Sequence, residues 1–462
     1  MSLNLANPRS LRTFRPAKIL WSAFLLLAVL ARGAEPRPPN IVILLTDDQG
    51  AIDVHSYGST DLQTPNIDAL GNRGIRFSHF YAGSSVCSPA RASILTGKSP
   101  QGAELSVNAP HGKRMPGLPP DQVTIAEMLT SEGYATALIG KWHLGDKKPL
   151  RPLDQGFDYS FGFYQGCIDN YSHFFFWVPP NRHDLWENGT EIFESGKYFP
   201  DLMENRARHF IATHHDKPFF MYYAMNQPHY PLQPTDKWRE YYKDLPMPRR
   251  DYAGCISTID ERIGELVADL KLYGAYDNTI FIFLADQGYS CEDRTFGGGG
   301  NAGPLRGAKF DFFEGGIRVP AIIAGPGIPA GRWIESPAMG MDLLPTIAAL
   351  CGVKELPAGV EGTSLLPLLN KDETLHPVMY WKRNEQWAVR EGDWKLLVNP
   401  RDDAHKFPLD PVKDKVFLAN LKTDVSESHN LAAENPEKVQ ALINRFQQWQ
   451  HCEPEDLKEA GR

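Results

Sequence analysis

The sequence predicts an α/β fold with a large, mostly parallel central sheet flanked by helices, followed by a smaller C-terminal antiparallel sheet plus a helix. Three observations carry this. Short continuous apolar runs recur at 41–45, 135–139, 219–224, 279–284 and 319–324, as suits strands buried on both faces. Helical patterns separate them, and such alternation implies parallel strands with helices on either side. Past about residue 370 the pattern changes to short strand-like pieces with turn residues between them.

Residues 1–34 read as a secretory signal. Arg9, Arg12, Arg15 and Lys18 precede an apolar run at 19–31, and the small residues Ala31, Gly33 and Ala34 follow before the Pro-rich stretch 36–39. The run is shorter than the roughly 20 apolar residues of a bilayer span, although an uncleaved anchor is the alternative. No Cys stands near the cleavage site to carry a lipid. Removal of this segment takes Arg9, Arg12, Arg15, Lys18 and Arg32 with it and leaves a more acidic mature chain. Use of the secretion machinery and a periplasmic or secreted location are expected, lysosomal or extracellular in a eukaryote. The sequons at Asn170 and Asn188 matter only in the eukaryotic case.

The first strand, 41–45, is followed by a helix at 65–72 behind the capping Thr64. A second helix, 125–131 behind Thr124, leads to the strand at 135–139. Helices at 202–214 and 252–272 flank the strand 219–224, and after the last two strands a helix at 342–350 ends before Gly352. The C-terminal pieces are strands at 378–382, 387–390, 394–398 and 416–420, closed by a helix at 436–450. The domains expected are therefore 35–370 and 371–462, and the 462-residue length itself favours more than one core.

Composition bounds the function. With 42% apolar and 23% charged residues, and with 39 Gly and 37 Pro, the chain is neither disordered nor collagen-like. Its net charge of −8 gives no electrostatic footprint for nucleic acid or an anionic membrane. No run after the signal is long enough to span a membrane. Six Cys cannot form a dense disulfide framework, though an even count permits three bridges.

Four of the predicted strands end in dense polar chemistry: Thr46 to Gly50, Gly140 to His143, Asn226 to His229, and Asp286 to Gly288. Ligands of open parallel sheets bind beyond the carboxyl ends of strands, so these groups are expected to face one cleft. Asp47, Asp48, Asp286 and Gln287 make an all-oxygen set, which suits Ca2+ or Mg2+ better than Zn2+. Three close carboxylates without a cation would repel until one took up a proton.

The stretch from Ser84 to Gly97 contains Cys87-Ser-Pro-Ala-Arg91. A thiolate phosphatase needs Arg six residues beyond its Cys, where this chain has Ser93, and no G-x-S-x-G elbow or P-loop is present. Taken alone, Cys87 reads as a buried structural thiol. Pro89 is placed to open a helix with Arg91 in its first turn, where a fixed cation and the helix N-terminus would together hold an anion.

Cys87-Ser-Pro-Ala-Arg91, with Leu95-Thr-Gly97 downstream, resembles the sulfatase signature C-x-P-x-R with L-T-G. Further blocks are similar to sulfatase blocks in the same order: 40–50, Gly140 to Gly145, Pro228-His229, Asp286 to Gly288, Leu305 to Lys309 and Glu314 to Pro320. Residues 417–421 and 430–432 resemble the family's C-terminal subdomain, so the resemblance runs from about residue 38 to the end. It implies an alkaline phosphatase-like fold and conversion of Cys87 to Cα-formylglycine by a formylglycine-generating enzyme acting on the unfolded chain. By position it implies that Asp47, Asp48, Asp286 and Gln287, with residue 87, bind Ca2+ in preference to Mg2+. Arg91 would fix the modified residue, Lys141 and His143 would hydrogen-bond the hydrated aldehyde and the sulfate, and His229 and Lys309 would bind sulfate and serve the departing oxygen. One departure is Gln287, since the family more often has Asn or His there.

The implied reaction uses one hydroxyl of the hydrated aldehyde to attack sulfur, and the second, deprotonated by His143, to eject sulfate. Between Gly166 and Asn188 an aromatic-rich loop offers His173, Trp177, Arg182 and His183 as substrate-binding residues, although Phe174 to Trp177 would equally serve to pack the loop down. The favoured substrate is a sulfated carbohydrate of galactose or N-acetylgalactosamine configuration. Two alternatives are a phosphate or phosphonate ester hydrolase of the same superfamily and a non-catalytic carbohydrate-binding relative. The run Gly297 to Gly300 reads as a flexible pocket rim. With Cys87 claimed by chemistry, five Cys remain. Cys255 and Cys351 are then expected as buried thiols and Cys167 and Cys291 as a candidate bridge.

Overall fold

A computed structural model describes residues 1–2, 37–109, 117–176, 179–371 and 373–451. Residues 3–36, which hold most of the expected signal segment, as well as Trp177 and Cys452, lie outside the described residues. Pro39 to Arg462 belong to one compact unit.

Its centre is an 11-stranded sheet. Asn40–Thr46 lies in the middle, parallel to Thr279–Ala285 on one side and Phe219–Ala224 on the other. Ala135–Lys141 continues the parallel run beyond Phe219–Ala224, and Tyr159–Phe163 beyond that. All five predicted apolar runs are strands of this sheet. The fifth, Arg318–Ala324, pairs antiparallel with Thr279–Ala285, so only part of the sheet is parallel. Beyond it lies Gly74–Tyr81, a strand the apolar runs did not announce. It alternates Ile75 and Phe77 with Arg76 and Ser78, and it follows the helix Pro65–Arg73 with no intervening loop.

The side-chain period of two splits each central strand between two cores. Ile41, Ile43 and Leu45 pack with the helices Cys87–Thr96 and Leu343–Cys351 on one face, whereas Val42 and Leu44 pack with Phe199–His214 and Arg249–Leu272 on the other. Local signals set the helix ends. Thr124 and Glu127 form a reciprocal capping box at the start of Ile125–Ser131. Gly352 closes Leu343–Cys351 in the left-handed conformation.

The C-terminal strands form a four-stranded antiparallel sheet in sequential order, Val378–Arg383, Gln386–Glu391, Trp394–Val398 and Val416–Asn420. One face, with Trp381, Leu397 and Phe417, packs on Tyr81, Phe312 and Phe313 of the main body. The other, with Val389, Leu396 and Leu418, receives Leu442 and Phe446 of the helix Pro436–His451.

Two expectations are corrected. Cys167 and Cys291 are free thiols, Cys167 being enclosed by Phe175 and Tyr230 instead of bridged; Cys255 is buried and Cys351 half-buried. The glycine run is pinned: the Gly299 carbonyl accepts from Arg249 Nη1 at 2.8 Å and Asn301 N donates to Asp53 at 2.6 Å. A Cβ at Gly299 would stand 2.9 Å from that of Tyr252, so glycine there permits close packing.

Candidate active site

Asp47 and Asp48 follow the central strand, Lys141 ends the strand at 135–141, His229 follows the strand at 219–224, and Asp286 and Gln287 follow the strand at 279–285. These four ends converge because the parallel register brings Thr46 level with Ala285 and Leu45 level with Ala224. Into this convergence points the helix Cys87–Thr96, whose first residue is Cys87 itself, two positions ahead of the Pro expected to open it. Arg91 therefore lies beyond the first turn, facing the strand ends from inside the core.

The contacts form one network. Cys87 Sγ lies 3.5 Å from Asp47 Oδ1 and accepts from Gln287 Nε2 at 3.3 Å, and the same Nε2 donates to Asp48 Oδ1. Lys141 Nζ bonds Asp47 Oδ2 at 2.6 Å, and Lys309 Nζ bonds Asp48 Oδ2 at 2.8 Å. His229 Nε2 stands 3.6 Å from Asp48 Oδ2, with Nδ1 2.9 Å from the Tyr230 carbonyl. Arg91 grips Asp286 Oδ2 through Nε at 3.0 Å and Nη2 at 2.9 Å and reaches the Lys141 carbonyl through Nη1 at 3.1 Å. Every member is buried.

Electrostatics follow from that burial. Burial alone would raise the Asp47 carboxyl, but Lys141, with His229, Arg91 and Lys309 behind it, holds it well below the usual carboxylate range. Asp48 is pushed up to about 6 by burial against the pull of Lys309, and Asp286 to about 7 by burial and the nearby Asp47 charge. Burial pushes the Cys87 thiol up to about 12, so the encoded side chain is no ready thiolate.

The residues fit a hard cation. Ligand atoms of Asp47, Asp48, Cys87 and His229 all lie within 4.8 Å of one another. Gln287 Oε1 is buried without a hydrogen-bond partner, and a half-turn of its amide would present that oxygen where Nε2 now meets Asp48 and Cys87. Asp286, the third carboxylate of the expected set, is also gripped by groups of the chain itself. Its Oδ2 is held by Arg91, and its Oδ1 accepts from the backbone N–H of Asp48 and Gln287, at 3.3 and 3.0 Å.

The remaining candidates divide. His143 adjoins the cluster through its carbonyl, which accepts from Ser88 Oγ at 2.6 Å, and its ring lies against Gly166, where a Cβ would stand 3.1 Å from Nε2. His173 is fully buried, with Nε2 3.0 Å from the Lys197 carbonyl and its ring beside Phe199, so it packs the loop. His183 pairs with Glu191 at 3.0 Å and stacks on Phe193. Arg182 lies over Phe175, which packs on Tyr230. Motif reading overlooked Tyr230, whose ring centroid lies 4.0 Å from that of His229. Its place directly after His229 was the available signal. It also overlooked Arg306, inside the quoted Leu305 to Lys309 block, which is fully buried and holds Asp402 at 2.7 Å.

Three carboxylates and four basic side chains thus gather beyond the strand ends around one helix-terminal residue, an arrangement suited to holding an anionic ester. The description "Sulfatase" matches residues 39–353. N-acetylgalactosamine-6-sulfatase of Rattus norvegicus is 32% identical over 82% of this chain and 75% of its own length. Arylsulfatase A of Homo sapiens is also 32% identical, over 90% and 89% respectively. Among solved structures, Ps i-CgsB superposes with a TM-score of 0.79 at 32% identity, covering 89% of this chain and 93% of that one. A complex of it with k-i-k-neocarrahexaose, at 31% identity, has the same TM-score. The chain belongs to the sulfatase family and is an arylsulfatase-like hydrolase.

Proposed function

We propose that the protein removes sulfate from a sulfated carbohydrate, with Cys87 converted to Cα-formylglycine and Ca2+ held by Asp47, Asp48, Asp286, Gln287 and residue 87, and that it does so after export. The carrying observation is the placement of Cys87 within 3.5 Å of Asp47 and of the Gln287 amide, in a pocket of fixed charges. The modified residue and the cation would supply the attacking hydroxyl and neutralise sulfate oxygens. Three carboxylates face three permanent cations, Arg91, Lys141 and Lys309, so a divalent ion would leave the pocket positive and suited to an anionic ester.

The chain's own residues divide the remaining work. Arg91 fixes Asp286 and the Lys141 carbonyl and so orients the floor on which residue 87 sits. Burial opposes charge on Lys309, but Asp48 and further acidic neighbours hold its ammonium well above the usual lysine range, so it retains a proton to place on the departing oxygen. His229 has Nδ1 against a carbonyl, which makes Nδ1 the N–H and turns Nε2 toward the sulfate site. His143 is assigned the proton taken up as sulfate leaves.

The carbohydrate assignment is supported by the names of the relatives and by the saccharide in the Ps i-CgsB complex. Mass analysis of the Cys87 peptide from the native source, beside sulfate release from N-acetylgalactosamine 6-sulfate and neocarrageenan oligosaccharides, tests the reading. An unmodified thiol in fully active protein would sink the mechanism, and preference for the phosphate ester of the same alcohol would sink the substrate class.

A further inference from the structure

Lys309 connects the buried cluster to a cleft of about 530 Å3, with Cys291 to Arg294 on one side and Arg401, Asp403 and His405 of the C-terminal segment on the other. We propose that this cleft is the subsite for the sugar ring bearing the scissile sulfate, and that Arg401 and Asp403 read its hydroxyls. The inference rests on the sulfatase reading of the Cys87 site and adds the place and residues of specificity.

Apart from Phe310 and Cys291, every lining side chain is charged or an imidazole. A flat aryl or lipid alcohol would find no apolar wall there beyond the Phe310 ring. A hydroxylated ring needs paired donors and acceptors with one apolar face, and the cleft offers both. Arg401 Nη2 lies 3.0 Å from each carboxylate oxygen of Asp403, a mixed pair that can be shared with vicinal hydroxyls, and Phe310 supplies the single aromatic surface. Because Lys309 Nζ is 2.8 Å from Asp48, an oxygen lodged at the cleft end of Lys309 sits at the edge of the sulfate site.

The cleft is built to hold its shape. Phe310 has a φ of 76°, costly for a bulky side chain, and is held there from both sides: its N–H donates to the Ser85 carbonyl at 2.9 Å and its carbonyl accepts from Arg383 at 2.7 Å. Asp311 Oδ2 accepts from the backbone N–H of both Ala308 and Asp403, at 2.9 Å each, which fastens the C-terminal wall to the loop carrying Lys309. Arg306 repeats the connection to Asp402 one residue away.

The test uses the full-length modified enzyme and a panel of sulfated galactan and glycosaminoglycan oligosaccharides. For the oligosaccharide turned over best, Arg401→Ala and Asp403→Asn should lower kcat/KM at least about 10-fold, roughly 1.4 kcal/mol, with the change in KM. Inhibition by the desulfated product should weaken by the same factor. Arg445→Ala, on the terminal helix, is the control, and thermal midpoints exclude unfolding. Retention of both KM and product inhibition within twofold in Arg401→Ala and Asp403→Asn overturns the proposal, as does a loss confined to kcat. Absence of sulfate release from every oligosaccharide, with product binding still sensitive to Arg401, overturns the functional reading and leaves the cleft standing as a saccharide site.

Discussion

Lys309 joins three roles in one side chain: it balances Asp48, it reaches the cleft, and it keeps its proton in a buried setting. Lys309→Ala is expected to reduce kcat by about 10² to 10⁴-fold, the range for loss of a positioned acid, measured as sulfate release under saturating substrate. Chelation should act through different residues. Without a cation Asp47 and Asp48 repel, so dialysis against a chelator should lower both activity and the thermal midpoint, and Ca2+ should restore both. Recovery with the midpoint unmoved throughout would argue against a cation among these carboxylates. At this scale much was legible, because Cys87, Arg91, Lys141, His229 and Lys309 stand in short motifs. His173, offered for substrate binding, is buried with Nε2 3.0 Å from the Lys197 carbonyl, a contact across 24 residues that the loop's composition does not reveal.

Among the elements, the helix Cys87–Thr96 matters most, since its first residue is the proposed reacting position and its register aims Arg91. It ends at Gly97 with φ 68°, where a Cβ would stand 3.0 Å from that of Leu344. Gly97→Ala should therefore destabilise by about 1–2 kcal/mol through the left-handed penalty, read from denaturant midpoints. A second joint is pH-sensitive. His376 Nε2 lies 2.8 Å from Asp342 at the start of the helix Leu343–Cys351. Burial would lower His376, but Asp342 outweighs it and raises the folded value above 6.5. Its stabilisation is thus fully present below the unfolded value and is lost as pH rises through the folded one. His376→Asn should cost about 1–2 kcal/mol at pH 6 and progressively less toward pH 9. An equal cost at both would show the imidazole to act without its charge. Strands such as Ala135–Lys141 were readable as apolar runs, whereas Gly74–Tyr81 was not, because Arg76, Ser78 and His79 interrupt its apolar residues and it abuts a helix.

Across the whole molecule, the small sheet is fastened to the large one by buried charge as well as by apolar packing. Lys395 lies 2.9 Å from Glu314 and 3.0 Å from Glu427, all three without solvent contact, and Tyr81 donates to Glu314 at 2.7 Å. Lys395→Met would leave the buried Glu427 without its cation and Glu314 with Arg318 at 3.6 Å, and should cost about 3–5 kcal/mol, measured by equilibrium unfolding. A loss below about 1 kcal/mol would place the attachment in the apolar contacts of Trp381 and Phe417 alone.

The sequence by itself determined the alternation of strands and helices, the family, and the short motifs around Cys87, because periodicity and local chemistry are written over a few neighbouring residues. Only the tertiary structure decided the antiparallel placement of Arg318–Ala324, the free state of Cys167 and Cys291, the engagement of Asp286 by Arg91, and the meeting of Arg401 with Lys309 across a cleft. Those facts depend on which distant segments the packing of two cores brings together, and pairings separated by some forty to two hundred residues leave no local pattern to read.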